Sequence, residues 1–341
     1  MINQSIEISI KGKWISVPAF GVGGKTVFVS GKWLRLAAIH DEDWLETELE
    51  DPGACVERLR DQRQHGLRAD IFTFTQKLPV AQPKYRYPME WDSVAVARVG
   101  SFKDWWTGLP QETRKNVRRS QKRGVVVVTK NFDNDLVQGL VELNNDSPVR
   151  QGRRYTHYGK TFEQVKRDFS AFSDRSDFIC AYVGSELVGF LKVVHRGEVA
   201  SIINLIAKSS HNDKRPANAL LAKAAELCEA NGVSYLTYGN FNYGNKTDTP
   251  IREFKVRNGF EEILMPKYYV PLTAWGALGM KLNLHRGHLG ILPQGVLKMG
   301  ISVRAKWYNL KQSMSRCSSV AERPNCDRQM ECSNPPAGSK T

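Results

Sequence analysis

The stretch HNDKRPANALLAKAAELCEANGVSYLTYG, residues 211–239, constrains the fold more than any other part of this chain. It opens as a polar, basic loop. Pro216 stands where a first helical turn would begin, a position at which its missing N–H costs nothing. Ala217, Leu220, Leu221, Ala224 and Cys228 follow at helical spacing with Leu227 beside them, while Lys223, Glu226 and Glu229 take the other side. Asn231 and Gly232 end the helix. VSYLTYG then reads as a buried strand. An apolar strand, VASIINLIAK, precedes the loop, so the unit is strand, basic loop, helix, strand: the crossover of an α/β sheet. A helix start behind Lys214 and Arg215 suits an anion, because free N–H groups and the helix dipole point that way. An ordinary crossover with solvated charges accounts for the same residues, and the unit alone does not decide between the two.

The chain has 341 residues, 41% of them hydrophobic, which predicts two domains plus extensions. Its formal net charge of +14 favours an anionic partner: nucleic acid, nucleotide, phospholipid surface or acidic sugar. No apolar run reaches the roughly 18 residues that a spanning helix needs, and the N-terminus lacks the apolar core of a signal peptide. A cytoplasmic protein is expected, with peripheral contact to an anionic membrane left open. The cysteines at 55, 180, 228, 317, 326 and 332 fit neither a zinc site nor a disulfide framework. No metal is expected.

Along residues 1–110, short strands broken by glycine turns, a helix opening at Asp51-Pro52, and the strands ADIFTFTQKLP and SVAVARV form an α/β pattern. AFGVGGKT (residues 19–26) approaches a P-loop, but TVFVSG follows it where a helix would be required, so the glycines read as a hairpin turn. Residues 125–272 repeat the mixture: VVVVTK, two helices, three strands linked by short turns, the crossover, and a final strand. Residues 273–316 carry no acid and hold Lys281, Arg286, Lys298, Arg304, Lys306, Lys311 and Arg316 among apolar residues. They read either as a helical extension packed on the domain or as a basic amphipathic segment on an anionic membrane. Residues 317–341 have the composition of a disordered tail.

Two further stretches carry chemistry. In ETRKNVRRSQKRG (residues 112–124), Arg114, Lys115, Arg118, Arg119, Lys122 and Arg123 oppose a single acid, Glu112. At about 100° per residue they occupy one half of a helix and leave Thr113, Val117 and Ser120 on the other. Such a face can track phosphates or simply be solvated. SPVRQGRRYTHYGK (residues 147–160) gathers Arg150, Gln151, Arg153, Arg154, His157, Tyr158 and Lys160. Guanidinium groups suit bidentate contacts to carboxylate or phosphate, and His157 could act as a base near neutral pH; a surface loop with a bystander histidine is the plainer alternative. Beyond the last crossover strand, the polar stretch 238–260 places Asn242 and Lys246 at a strand end, where ligands collect in α/β sheets, and Lys255 between Phe254 and Val256.

With these residues in view, the second half resembles the GNAT acyltransferase superfamily, and more narrowly its Fem-type branch. LPQETRKNVRRSQKRGV resembles the basic helix that joins two GNAT-like halves, and DFICAYVGSELVGFLKVV the central hairpin. RPANALLAKAAELCEANGVSYLTYG resembles the branch's helix and following strand, and FKVRNGF its F-K-x-x-x-G-F signature. The likeness covers residues 93–272; the first ninety match only in the order of elements. It implies an α/β fold (α+β, mixed sheet) of two tandem GNAT-like domains, at 1–110 and 125–272, with a linking helix at 111–124.

The resemblance also implies transfer of an acyl group from acyl-CoA, acetyl-CoA among them, to an amine. Aminoacyl-tRNA is the alternative donor, and a catalytically idle scaffold binding nucleic acid or membrane the alternative of another class. The acetyl-CoA loop of the superfamily, Arg/Gln-x-x-Gly-x-Gly/Ala, aligns with residues 212–217, where Arg215 replaces the middle glycine and Asp213 adds a negative charge. Lys214, Arg215, Pro216, Ala217, Asn218 and Ala219 are thereby assigned to the donor, with side chains standing in for glycine amides. Arg150, Gln151, Arg153, Arg154, Tyr158, Lys160, Asn242 and Lys246 are assigned to a small-molecule or lipid-linked anionic acceptor, expected to be a nucleotide- or lipid-linked sugar of bacterial cell-envelope or polysaccharide biosynthesis. Lys255 would steady a phosphate or the developing oxyanion, and His157 is the candidate base. No stable protein partner is implied.

Overall fold

The computed structural model describes residues 4–10, 13–40, 44–64, 67–150, 153–242 and 249–286. Expectations for Gln151, Lys246, most of the basic extension and the whole tail therefore lie outside the described residues.

The first half is a meander, β1 (Gln4–Ile10), β2 (Lys13–Val22), β3 (Lys25–Ser30) and β4 (Leu36–Ile39), then α1 (Pro52–Gln64) and β5 (Ile71–Thr75). The expected hairpin at 19–26 is present: Gly23 and Gly24, at φ +54° and +71°, turn β2 into β3. Next come β6 (Met89–Arg98), α2 (Phe102–Gly108), α3 (Gln111–Lys122) and β7 (Val125–Lys130). β6 starts four residues before the expected SVAVARV run, because Met89, Glu90, Trp91 and Asp92 are held in register by a strand from the far end of the chain. The second half continues with α4 (Asn134–Asn144), the short ladder β8 (Val149–Arg150) and β9 (Arg153–Arg154), and α5 (Phe162–Ser170). Then follow β10 (Ser176–Val183), β11 (Glu186–Arg196), β12 (Val199–Ala207), α6 (Pro216–Ala230), β13 (Tyr235–Asn240), α7 (Pro250–Arg257), β14 (Glu261–Pro271) and α8 (Ala274–Lys281).

Twelve strands form one mixed sheet in the order β1-β2-β3-β4-β5-β14-β6-β13-β12-β11-β10-β7. β4 with β5 and β12 with β13 pair parallel, each across a helical crossover; the other neighbours are antiparallel. The same strand–helix–strand unit thus occurs once in each half. The halves exchange strands at the middle. β14, from the second half, lies between β5 and β6, and β6, from the first, lies between β14 and β13.

Burial follows the sequence pattern. α2, α3 and α6 cover one face of the second half with Trp105, Leu109, Val117, Leu220, Ala224 and Cys228, while α4 and α5 cover the other with Leu140, Leu143, Val165 and Phe169. On α3 the buried residues are Thr113, Val117 and Ser120, the small side of the basic helix. The first half has its own core, around Val27, Cys55, Leu59, Phe72, Phe74 and Tyr268, and Tyr268 again comes from β14. Cys55, Cys180 and Cys228 are buried free thiols, each pushed up to about 12 by burial. The described residues up to Met280 belong to one compact unit, and beyond it the description ends with the last residue of α8 and a 3-10 turn, Leu284–Arg286.

Because β14 completes the core of the first half and pairs with β6, which in turn pairs with β13 of the second, the unit should unfold as one. Met265 on β14 is fully buried. Met265→Ala should cost about 2–5 kcal/mol and shift a single calorimetric transition. Two separate peaks, of which only one moves, would contradict the exchange.

Candidate active site

The site begins where the sheet fails to close. β12 and β13 run parallel but share only three register pairs, Val199 with Tyr235, Ala200 with Leu236 and Ser201 with Thr237. At the last pair two buried hydroxyls clasp, Ser201 Oγ to Thr237 Oγ1 at 2.8 Å, and Thr237 also donates to the Ala200 carbonyl at 3.3 Å. Past the clasp the strands part. β12 bulges at Ile203, which the β11 ladder skips and which stands exposed. β13 likewise skips Tyr238 and Gly239 against β6, with Gly239 at φ +54°. The backbone edges that face each other across this fork have no strand partner there. Backbone N–H and C=O groups in such a place call for hydrogen bonds, so the fork is suited to an extended, amide-bearing guest.

The start of α6 lies at the head of the fork. Gly189 on β11 admits it: a Cβ there would sit 3.0 Å from Leu220 and 3.3 Å from Pro216. Arg215 is the N-cap, at φ 57° and ψ 42°, and no side chain caps the helix. Arg215 therefore takes the left-handed backbone that favours glycine while carrying a guanidinium. A non-glycine residue held there stores about 1–2 kcal/mol of strain. The following proline already disfavours the right-handed helical region for Arg215. The negative charge of Asp213 is met by α3: Arg123 donates to its carboxylate at 2.9 Å and to its carbonyl at 2.6 Å. Both groups are largely exposed, so this pair positions the loop more than it stabilises the fold.

Lys255 enters from the β13 side. Its Nζ donates to the Asn240 carbonyl at 2.7 Å and lies 4.6 Å from the centre of the Tyr238 ring, both on the parted segment of β13. The side chain is 0% exposed, and burial pushes its pKa down to about 8. α7 and α6 are tied together beside it. Asn218 Nδ2 donates to Asn258 Oδ1 at 2.9 Å, and Asn258 Nδ2 donates to the Phe254 carbonyl at 2.7 Å. Thr113 of α3 donates to the Arg257 carbonyl at 2.7 Å.

The basic loop at 147–160 reaches the same region at its base. Asp146 Oδ2 accepts from the Ser209 N–H at 2.9 Å, in the turn leading to α6, and Arg150 donates to the Ala207 carbonyl at the end of β12 at 3.1 Å. Arg150 also donates to the Leu143 carbonyl at 3.0 Å and lies over the Tyr155 ring at 4.4 Å, so its guanidinium braces the fold. Lys160 pairs with Asp168 of α5. His157 lies between Tyr155 and Phe169, with Nδ1 3.4 Å from Lys160 Nζ. Burial, and then the Lys160 charge, lower its pKa below the usual histidine value. Tyr158 is exposed, Arg153 and Arg154 form β9, and Asn242 donates to Glu262 at 2.8 Å. Lys255, Asn218 and Arg215 thus gather at the fork, whereas His157 and Lys160 form a separate cluster on α5.

Several participants carry no signal in the single chain. The Ser201–Thr237 clasp and the Ile203 bulge depend on register between distant strands. Lys192 was legible only as a lysine inside the apolar run LVGFLKVV. It is 2% exposed, donates to the Phe169 carbonyl at 2.7 Å and to that of Ala171, and burial pushes it down to about 8.

These features leave an open backbone edge between β12 and β13, with the start of α6 at one end and the buried Lys255 on the β13 side. Residues 111–248 match the family model described as an acetyltransferase (GNAT) domain. No curated protein matches the sequence. Among solved structures, FemX is superimposable over 82% of this chain and 90% of its own, with a TM-score of 0.53 and 10% identity. The C-terminal domain of a candidate lysylphosphatidylglycerol synthetase from Agrobacterium fabrum matches over 78% and 87%, at 0.53 and 10%. The L-PGS structure from Bacillus licheniformis matches over 74% and 83%, at 0.50 and 13%. Residues 111–248 thus carry a GNAT-type N-acyltransferase domain, and the fold of the chain as a whole is similar to that of FemX.

Lys255 fixes a pH signature. Its pKa is about 8 in the fold against 10.5 for an unperturbed lysine. Between these values the unfolded chain binds a proton that the fold does not, so stability rises with pH across that window. Below about 8 the buried charge costs a few kcal/mol, at about 1.4 kcal/mol per unit. Lys255→Met should fold, should not be less stable at pH 7, and should show a shallower rise in stability from pH 8 to 10. Equal slopes for variant and parent would refute the buried ammonium.

Proposed function

We propose that the chain transfers an acyl group from a thioester donor, acyl-CoA, held in the β12–β13 fork, to an amine on an anionic acceptor that approaches over residues 147–160. The observation that carries the reading is the fork itself, with a left-handed Arg215 and an uncapped helix start at its head. The residues fit such a donor. The open edge of β12 would bind an amide-bearing arm, and Lys214, Arg215 and the Ala217 N–H would meet its phosphates, beside Asn218 and Ala219, whose N–H groups donate to the Arg215 carbonyl at 3.2 and 3.5 Å. A thioester supplies an activated acyl carbon. The chain's task is then to position the amine and stabilise charge. Lys255 would steady a phosphate or the oxyanion. His157, whose pKa is lowered, lies along the acceptor's path over residues 147–160 and would take the proton of the incoming amine there, before the amine reaches the fork. The domain scheme, 1–110 and 125–272 about the helix at 111–124, belongs to this proposal, with catalysis in the second domain.

A second reading has aminoacyl-tRNA as donor. It is favoured by the one-sided basic face of α3, which packs beside α6, and by a neighbour named as a lysylphosphatidylglycerol synthetase. That name equally supports a lipid-linked acceptor and action at an inner membrane face.

Acyl-CoA should raise the melting temperature, and Lys214→Glu with Arg215→Glu should abolish the shift. Arg153→Ala should raise the acceptor KM about ten-fold, given about 1.5–3 kcal/mol per charge-assisted contact, and leave donor binding intact. If no acyl-CoA shifts the parent while aminoacyl-tRNA supports turnover, the thioester reading falls.

A further inference from the structure

A cavity of about 570 Å³ opens in the first half, away from the fork. It is lined by Lys32, Trp33, Arg35, Arg63, Arg68, Ala69, Asp70, Thr273, Ala274 and Trp275. Four cations face one carboxylate. Lys32, Arg35, Arg63 and Arg68 are all exposed, and none is in an ion pair among the described residues. Asp70 is already committed: one oxygen accepts from the Arg35 N–H at 2.9 Å, the other from the Thr273 hydroxyl at 3.0 Å.

The walls are rigid. Gly276 of α8 lies so close to Asp70 that a Cβ would fall 1.9 Å from its carbonyl oxygen, and a Cβ on Gly279 would meet Leu34 at 3.0 Å. With its glycine side pressed inward, α8 turns Trp275 and Leu278 outward, at 45% and 44% exposed. Trp275 Nε1 donates to the Trp33 carbonyl at 2.9 Å, and Trp33 is 88% exposed. Holding two indoles and a leucine in water beside four unpaired cations is unfavourable unless something covers them. Indole and guanidinium together match the interface of an anionic bilayer. The ring settles at the headgroup level, and each cation near the surface is attracted to the anionic headgroups.

Strand direction adds a second argument. The cavity lies where β4 and β5 begin and β14 ends. β13 and β12 run opposite to β5, so their parting ends reach the same edge of the sheet. A surface docked at the cavity would therefore lie along the edge at which the fork opens. No helix among the described residues is long and apolar enough to cross a membrane, so this contact is peripheral.

We propose that this face docks the chain on an anionic phospholipid surface. A headgroup phosphate enters the cavity between Arg35, Arg63, Arg68 and Lys32, with the rings of Trp33 and Trp275 among the headgroups. Docking does not rest on the acyl-transfer reading, because it is measured without turnover. The full chain is sedimented with vesicles rich in phosphatidylglycerol and with vesicles of phosphatidylcholine alone. The parent should bind the first and not the second. Arg63→Glu with Arg68→Glu, and separately Trp33→Ala, should each weaken binding about ten-fold or more while the melting temperature holds. All three side chains are exposed, so the variants should fold. Unchanged vesicle binding in both variants would overturn the proposal and move the contact elsewhere on the chain. So would a parent that binds no vesicle. Retention on tRNA that is lost with the arginine pair, without any vesicle binding, would assign the cavity to nucleic acid and also overturn it.

Discussion

Everything distinctive here depends on one incomplete parallel pairing. β12 and β13 are joined for three residues, clasped by Ser201 and Thr237, and then released. A parallel pair left open inside a sheet would ordinarily expose backbone groups at a cost of about 1–3 kcal/mol for each buried group without a partner. The surrounding structure keeps it open. The bulge at Ile203 re-aims β12, Gly239 turns β13, and α6 is wedged against Gly189. The strained Arg215 and the buried Lys255 add to that cost on either side of the opening. Strain and buried charge gathered at one place are the usual marks of a functional site.

The exchange of β6 and β14 explains how the fork stays rigid. β13 has β12 on one side for only three residues, but on the other it pairs with β6, which is itself locked to β14. The first half, which lacks a recognisable signature, thereby becomes the support of the second. The chain retains two crossovers but only one shows these site features, so the first half is free to offer a surface of another kind.

Local features were readable from the sequence. The Leu220, Leu221, Ala224 and Cys228 stripe, the buried trio of α3, the glycine turn at Gly23 and the proline start of α6 all follow from short-range sterics and periodicity. Features fixed by contacts between distant residues were not. The interleaving of β5, β14 and β6 joins positions nearly two hundred residues apart, and nothing in the IFTFT or ILMPKYYV runs names the partner. The same limit hid the fork. Basic residues were visible as a cluster but not as individuals: Arg150 and Lys160 hold carbonyls and a carboxylate, and Arg123 answers Asp213. Arg215 was seen as a departure from glycine in its side chain, whereas its backbone preserves what glycine would supply.

The central claim is that the parted strands hold the donor. Amide hydrogen exchange, read peptide by peptide with and without a non-hydrolysable acyl-CoA analogue, tests it most directly. Protection should appear in the second part of β12 from Ile202 onward, in Tyr238, Gly239 and Asn240, and at the first turn of α6, with β1 to β4 unchanged. Protection confined to another region, with the fork exchanging as before, would contradict the account.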